Sequence, residues 1–216
     1  MRHLFEALLS MVCVLWGSKV AMAVPTTVLC LGDSLTEGYG LNKEEAWPAL
    51  LEGLIKADGI NDLTVINAGI SGSTSASAVS RLKWHLKSLK KPAIVILELG
   101  PNDGLRGLDP KATEANLLNV IRLAKDNDLR VLLAGMQMPP NYGPKYTDEF
   151  KAVFPRLAKS QGLDLIPFFL EGVAAQPKLN LADGIHPNAD GYKIIAKTVW
   201  HHLQPMVTNN SKVQKR

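Results

Sequence analysis

Residues 27–35 read Thr-Val-Leu-Cys-Leu-Gly-Asp-Ser-Leu, an apolar run that ends in a short polar motif. The apolar part predicts a buried strand, so Ser34 stands where the chain leaves that strand and can face a cleft. Near the other end, residues 183–187 read Asp-Gly-Ile-His-Pro, which puts Asp183 and His186 three positions apart in one turn. A serine, a histidine and an aspartate are the parts of an acyl-transfer triad, which depends on geometry and not on chain order.

Apolar runs alternate with helical patterns along the rest of the chain. The predicted strands are 26–32, 63–67, 93–99, 129–135 and 163–166, and the predicted helices are 44–57, 74–90, 111–127, 147–160 and 189–203. The middle three strands are nearly continuous hydrophobics, as expected for parallel strands covered on both faces. This alternation predicts a doubly wound α/β sheet with right-handed crossovers, whose ligands bind beyond the carboxyl ends of the strands.

Two further motifs follow the second and third strands. They are Asn-Ala-Gly-Ile-Ser-Gly-Ser-Thr at 67–74 and Glu-Leu-Gly-Pro-Asn-Asp-Gly at 98–104. With all four motifs in order, the chain resembles the SGNH (GDSL) hydrolases, in particular their bacterial periplasmic thioesterase/lysophospholipase/arylesterase branch. The resemblance extends over about residues 26–206 and includes segments 46–51, 102–107, 141–143 and 167–169. It implies a three-layer α/β/α, flavodoxin-like fold with five parallel strands.

The proposed triad assigns one task to each of its members. Ser34 is the candidate nucleophile, and His186 is the general base that a weakly nucleophilic hydroxyl requires. Asp183 is expected to bond the other ring nitrogen and fix the tautomer. Asp33 is expected to hold the turn by accepting backbone N–H bonds. The plainer alternatives are a helix N-cap for Ser34 and a turn with a bystander histidine for 183–187.

The resemblance also implies an oxyanion hole. Its donors would be the backbone amides of Ser34 and Gly72 and the side-chain amide of Asn102, aimed at the charge of a tetrahedral intermediate. Gly69 competes with Gly72, and we choose Gly72 because the frame Ile-Ser-Gly-x-Thr matches this branch. Taken singly, the glycine could instead serve a positive-φ turn and the asparagine an Asx-turn.

The predicted activity is hydrolysis of carboxylic esters and thioesters through an acyl-enzyme on Ser34. The resemblance implies acyl esters, lysophospholipids, acyl thioesters and aryl esters as substrates. Apolar residues on the loops after the third and fourth strands are candidates for an acyl groove: Leu105, Leu108, Met136, Met138 and Tyr142. A carbohydrate O-acetyl esterase with the same catalytic set and a non-catalytic periplasmic lipid carrier remain as alternatives.

Length and composition set the remaining expectations. The 216 residues suit one domain, placed at 24–206 with a disordered tail at 207–216. The formal net charge is +4, and the lysines of residues 83–91 suit a solvated helix face, so no nucleic-acid partner is expected. No His, Cys and carboxylate cluster has zinc-like spacing, so we expect no metal or other cofactor. A monomer is expected.

Residues 1–23 resemble a secretory signal peptide. A short basic start precedes an apolar run at residues 8–16, and Ala21-Met22-Ala23 has the small-x-small pattern of a cleavage site. The alternative is an uncleaved N-terminal anchor. Cleavage would leave Cys30 as the only cysteine, which we expect to be a buried, unreactive side chain. The sequence therefore predicts a periplasmic or secreted enzyme without a disulfide.

Overall fold

The computed structural model describes residues 26–208, which contain a five-stranded sheet. Its strands are β1 (Thr27–Gly32), β2 (Thr64–Gly69), β3 (Ala93–Glu98), β4 (Arg130–Ala134) and β5 (Asp164–Ile166). All pairings are parallel and the order is β2-β1-β3-β4-β5, which is the flavodoxin order. The predicted α/β class and strand count are confirmed.

Helices cover both faces of the sheet. They are α1 (Ser34–Glu37), α2 (Trp47–Ala57), α3 (Ala78–Leu86), α4 (Pro101–Leu105), α5 (Pro110–Asp126), α6 (Pro144–Gln161) and α7 (Ala189–Thr208). One layer contains α2 packed on α7, and the other contains α3, α5 and α6 side by side. The short helices α1 and α4 were not predicted, because four or five residues are too few to show a helical period.

One strand is less covered than its sequence indicates. The run at 63–67 predicted a strand buried on both faces, but β2 is an edge strand with Thr64 exposed and Val65 and Ile66 half-buried. The apolar pattern does not indicate the order of the strands in the sheet. In the observed order, β2 has a neighbouring strand on one side alone. By contrast, β1 and β3 lie at positions two and three of the sheet and are buried along their whole length.

The last helix extends further than predicted. We expected α7 to end at residue 203 and a disordered tail to begin at 207, but the helix passes through Pro205 and reaches Thr208. Met206 and Val207 are buried, and Arg130 donates a side-chain hydrogen bond to the Met206 carbonyl oxygen. The packing of this last turn against the core therefore outweighs the tendency of Pro205 to end the helix. The predicted signal peptide and the rest of the tail lie outside the described residues.

Large aromatic side chains fill the space between sheet and helices. Trp47, Phe150, Phe154, Phe169 and Tyr192 are all fully or almost fully buried. Cys30 is also fully buried, in the middle of β1, and its burial raises the pKa of the thiol well above the ordinary value. None of the helices within residues 26–208 is both long and apolar enough to cross a membrane.

Candidate active site

Ser34 begins α1 directly after β1 ends. Asp33 is the N-cap residue, and its Oδ1 accepts a hydrogen bond of 3.0 Å from the Leu35 amide, as expected for a structural carboxylate. Ser34 is 8% exposed and lies on the wall of a cavity at the carboxyl edge of the sheet. The strand-to-helix turn therefore presents the hydroxyl to a cleft.

The structure brings Ser34, His186 and Asp183 into one hydrogen-bonded chain. His186 Nε2 lies 2.9 Å from Ser34 Oγ, and His186 Nδ1 lies 2.7 Å from Asp183 Oδ2. The other oxygen of Asp183 accepts from the backbone amides of Ile185 and His186, each at 3.0 Å. Partial burial raises the pKa of Asp183, but these hydrogen bonds outweigh it and lower the pKa to about 2. Asp183 is therefore a carboxylate at neutral pH.

Backbone and side-chain hydrogen bonds hold the loop that carries His186. Asn180 and Pro187 form an isolated antiparallel bridge, and the Leu181 amide donates to the His186 carbonyl oxygen at 2.7 Å. The Asn180 side chain donates to two further carbonyl oxygens, at 2.8 Å each. Gly184 has a φ of +75°, which closes the turn between acid and base and favours glycine there. The imidazole is thus held by backbone contacts as well as by Asp183.

The predicted oxyanion donors meet at the same cavity. Gly72 has a φ of +76° and lines the cavity beside Ser34, whereas Gly69 is packed so closely that a Cβ there would overlap the Glu37 backbone. In the described chain, the amides of Ser34 and Gly72 donate to no other protein group. Asn102 lines the cavity too, with its Nδ2 at 3.0 Å from Asp33 Oδ2 and 3.1 Å from the Ser73 carbonyl oxygen.

Two buried acids lie behind the turn. Burial raises the pKa of Asp33 to about 6, against the hydrogen bonds from Leu35 and Asn102 that lower it. Burial also raises the pKa of Glu98 well above its ordinary value, and the nearby Asp33 raises it further. Across residues 26–208, no three His, Cys, Asp or Glu side chains are grouped so that they could hold a metal ion.

An apolar cavity of about 610 Å³ opens beside the Ser34 hydroxyl. Leu105, Met136 and Met138 line it, as the sequence predicted for an acyl groove. Met138 lies across α4 so closely that a Cβ at Gly104 would overlap its sulfur. The volume is within the range of about 300–1,000 Å³ that small-molecule sites occupy.

Two predicted groove residues lie outside this cavity. Leu108 is 42% exposed on the connection after α4, and its carbonyl oxygen accepts from the Tyr146 hydroxyl. Tyr142 donates its hydroxyl to the Leu105 carbonyl oxygen at 2.9 Å and stacks on Tyr146. The two tyrosine hydroxyls therefore hold the backbone of residues 105 and 108. The role of Leu108 and Tyr142 in binding an acyl chain stays a prediction that this cavity does not support.

The opposite wall comes from a segment to which the sequence assigned no role. Phe168, Leu170, Ala174 and Ala175 line the cavity, together with Ile185 of the histidine loop. Tyr39 covers the histidine itself, with a distance of 4.6 Å between the ring centroids of Tyr39 and His186. Segment 167–169 is one of the segments that carry the family resemblance. It was the one feature of the sequence that could have indicated this wall.

Comparison with known proteins agrees with this geometry. Esterase TesA of Pseudomonas aeruginosa is 40% identical over 202 residues, covering 94% of this chain and all of that protein. Thioesterase 1/protease 1/lysophospholipase L1 of Escherichia coli K12 is 41% identical over 189 residues, which is 88% of each chain. The crystal structure of the psychrotrophic esterase EstA from Pseudoalteromonas sp., inhibited by monoethylphosphonate, superposes with a TM-score of 0.79. It is 34% identical and covers 85% of this chain and 100% of EstA.

A protein-family model spans the region that contains all four motifs. The model describes the GDSL-like lipase/acylhydrolase family and matches residues 30–194, from within β1 to within α7. The match therefore includes the serine, glycine, asparagine and histidine positions that surround the cavity. With the identities and coverage above, it establishes that this chain belongs to the GDSL-like lipase/acylhydrolase family.

Proposed function

We propose that this protein is a serine esterase that hydrolyses carboxylic ester and thioester bonds of acyl substrates. The observation that carries the proposal is the hydrogen-bonded chain from Ser34 through His186 to Asp183 at the edge of an apolar cavity. A carrier protein needs a cavity but has no use for a serine that is bonded to an oriented imidazole. The family and the relatives named above support ester hydrolysis over that alternative.

The proposed reaction has two halves. His186 Nε2 takes the Ser34 proton as Oγ attacks the acyl carbonyl carbon, and the protonated ring then gives that proton to the departing alcohol or thiol. A water molecule next attacks the acyl-enzyme, with His186 again as base, and releases the carboxylic acid and the free serine. Asp183 keeps Nδ1 protonated throughout, and its low pKa keeps it an acceptor.

The oxyanion of each tetrahedral intermediate would be held by backbone and side-chain donors. The free amides of Ser34 and Gly72 supply two N–H groups on the cavity wall. Asn102 would supply the third with the Nδ2 hydrogen that now faces the Ser73 carbonyl oxygen, and the other Nδ2 hydrogen, bonded to Asp33, holds the amide in place. Donors of this kind each contribute about 3 kcal/mol to the transition state.

The lining of the cavity favours acyl chains over acetyl groups on sugars. Leucine, methionine, phenylalanine and proline side chains dominate the walls. Such a wall gains free energy from each buried methylene, whereas a sugar needs polar partners. Lysophospholipids and acyl thioesters are candidates because a relative with 41% identity carries both activities in its name.

We also propose an exported, monomeric enzyme. The basic start, the apolar run and the Ala21-Met22-Ala23 motif support export and cleavage after residue 23. A periplasmic or secreted location would follow from that export. N-terminal sequencing of the protein recovered from cells and light scattering of the purified protein test these two points.

Replacing the nucleophile tests the proposed function directly. We expect Ser34→Ala to abolish hydrolysis of a chromogenic short-chain ester and to prevent labelling by a fluorophosphonate, without changing the thermal unfolding midpoint by more than a few degrees. Ser80→Ala, an exposed serine on α3, is the matched control and should keep wild-type turnover. Turnover by a pure, folded Ser34→Ala protein would contradict the assignment.

A further inference from the structure

Glu98 lies directly beneath the turn that carries Ser34. It is the last residue of β3, and its side chain is fully buried. One carboxyl oxygen, Oε2, accepts a hydrogen bond of 3.2 Å from the Asp33 amide and one of 2.7 Å from the Thr36 hydroxyl. These two donors flank Ser34 in the chain, so a single oxygen ties together both sides of the nucleophile.

The fit around this oxygen is close. A Cβ at Gly32 would stand 2.5 Å from Glu98 Oε2 and would overlap the Thr36 hydroxyl. The glycine of the Gly-Asp-Ser motif therefore has a packing reason here, because it lets the carboxyl group approach the turn. Since the strands β1 and β3 pair at this point, with Gly32 opposite Glu98, the sheet fixes the backbone of Glu98 beside the turn.

The same contact reaches the oxyanion side through Asp33. Glu98 holds the Asp33 backbone, while the Asp33 side chain caps α1 with one oxygen and accepts from Asn102 Nδ2 with the other, at 3.0 Å. The orientation of Asn102 thus depends on Asp33, and the position of Asp33 depends on Glu98. Glu98 itself does not line the cavity.

The surroundings of Glu98 favour its neutral form. Burial first, and then the neighbouring Asp33, raise its pKa well above the ordinary value. Both hydrogen bonds go to Oε2, and Oε1 has no partner in the described part of the chain. Arg81 donates to the carbonyl oxygens of Gly32 and Ala68 close by.

We propose that Glu98 is a positioning residue for Ser34 and Asn102. Its carboxyl oxygen holds the turn of residues 33–36 at the place where Ser34 Oγ meets His186 Nε2 and where Asn102 faces the cavity. It acts through Asp33 and Thr36 and does not touch substrate. The inference rests on the proposed function, because it assumes that Ser34 is the nucleophile.

The test compares Glu98→Leu with Glu98→Gln. Leucine fills the space but offers no acceptor, and a misplaced nucleophile can cost about 100-fold in rate, so we expect kcat to fall by about 100-fold while KM stays within about threefold. Glutamine is neutral and retains an acceptor oxygen, so it should keep at least about a third of the wild-type kcat. Leu97→Val, a buried neighbour on the same strand, is the control, and should lower the unfolding midpoint without lowering kcat.

Each outcome decides between explanations. Full turnover by folded Glu98→Leu, or an equal loss in Glu98→Gln, would overturn the proposal. If Glu98→Leu does not fold, Thr36→Val and Thr36→Ser replace it: valine should lower kcat by about tenfold and serine should restore it, and equal kcat values would overturn the proposal. Ser34→Ala is measured alongside to separate the two proposals. Turnover by Ser34→Ala would refute the nucleophile, whereas an inactive Ser34→Ala beside a fully active Glu98→Leu would refute the positioning role of Glu98 alone.

Discussion

At the residue scale, the site combines one carboxyl group whose pKa is lowered, Asp183, with one whose pKa is raised, Asp33. Asp183 is ionised because two backbone amides and the imidazole donate to it, and its pKa is about 2. Asp33 is buried, with a pKa of about 6. Hydrogen bonding has the larger effect on the pKa of Asp183, and desolvation has the larger effect on that of Asp33. The two aspartates therefore have opposite effects on how stability depends on pH.

Asp33 gives a prediction about stability with a definite sign. Its pKa is higher in the folded state than in the unfolded chain, so the folded state binds its proton more tightly and the free energy of unfolding decreases as pH rises from about 4 to 6. In Asp33→Asn this decrease should be smaller by up to about 3 kcal/mol, the equivalent of about two pKa units. Urea unfolding at pH 4, 5, 6 and 7 measures the difference.

Asp183→Asn is the control for this experiment. The folded pKa of Asp183 is depressed, so the stability it contributes is present above about pH 4 and is lost as pH falls toward 2. Between pH 4 and 6 its curve should therefore run parallel to that of the wild type. If the Asp33→Asn curve were parallel as well, the elevated pKa of Asp33 would be wrong.

At the element scale, the walls of the cavity come from the helix α4 and from the segments that follow β4 and β5. Leu105 of α4 and Met136 and Met138 after β4 form one wall, and Phe168 and Leu170 after β5 form the other. All of these elements follow strands at the carboxyl edge, which is where open α/β sheets bind ligands. These wall residues are apolar and are distinct from Ser34, Asn102 and His186, which line the same cavity.

The cavity walls should set the acyl-chain preference. Each buried methylene gains about 0.8 kcal/mol, so kcat/KM should rise by about fourfold per added methylene over several carbons before it levels off. Met138→Ser should flatten this rise while sparing acetyl esters. A series of p-nitrophenyl esters and acyl thioesters of increasing length measures both slopes.

Leu108→Ser is the matched control for Met138→Ser. Leu108 belongs to the connection after α4, but it is exposed and lies outside the cavity. Its replacement should leave the slope of kcat/KM against chain length unchanged. A wild-type efficiency that falls steadily from acetyl upward would favour the O-acetyl esterase alternative.

At the scale of the whole molecule, the buried core extends to the carboxyl edge of the sheet, where it supports the motif that carries Asn102. The rings of Phe150 and Phe154 on α6 pack at 68° to one another, with 5.6 Å between their centroids. A Cβ at Gly100, in the motif that carries Asn102, would stand 3.2 Å from the Phe154 ring. The motif that carries Asn102 therefore packs against the helix layer.

Removing that support should cost stability. Phe154 is 1% exposed, so Phe154→Ala should lower the free energy of unfolding by about 3–5 kcal/mol. Trp84→Ala, an aromatic that is 64% exposed on α3, should change it by less than about 0.5 kcal/mol. Urea unfolding of both variants measures this contrast, and a loss of similar size in each would contradict the described core.

The sequence by itself determined the succession of strands and longer helices, and it predicted Ser34, Asp183 and His186 as a candidate triad. Apolar runs show burial locally, and Asp183 and His186 lie within one turn, whereas the meeting of His186 with Ser34 is a contact across 152 residues that the structure supplies. The resemblance agreed with the strand count and added Gly72 and Asn102 as oxyanion candidates. These features depend on residues that are near in the chain or on motifs that can be read directly.

The tertiary structure alone decided which parts of the chain meet. The edge position of β2, the wall formed by Phe168 and Leu170, and the place of Leu108 outside the cavity all depend on how distant elements pack. Glu98 in the printed sequence is one charged residue in an apolar strand, and its contact with a turn more than 60 residues away appears once β1 and β3 pair. Such contacts are set by the packing of the whole chain, and no local pattern encodes them.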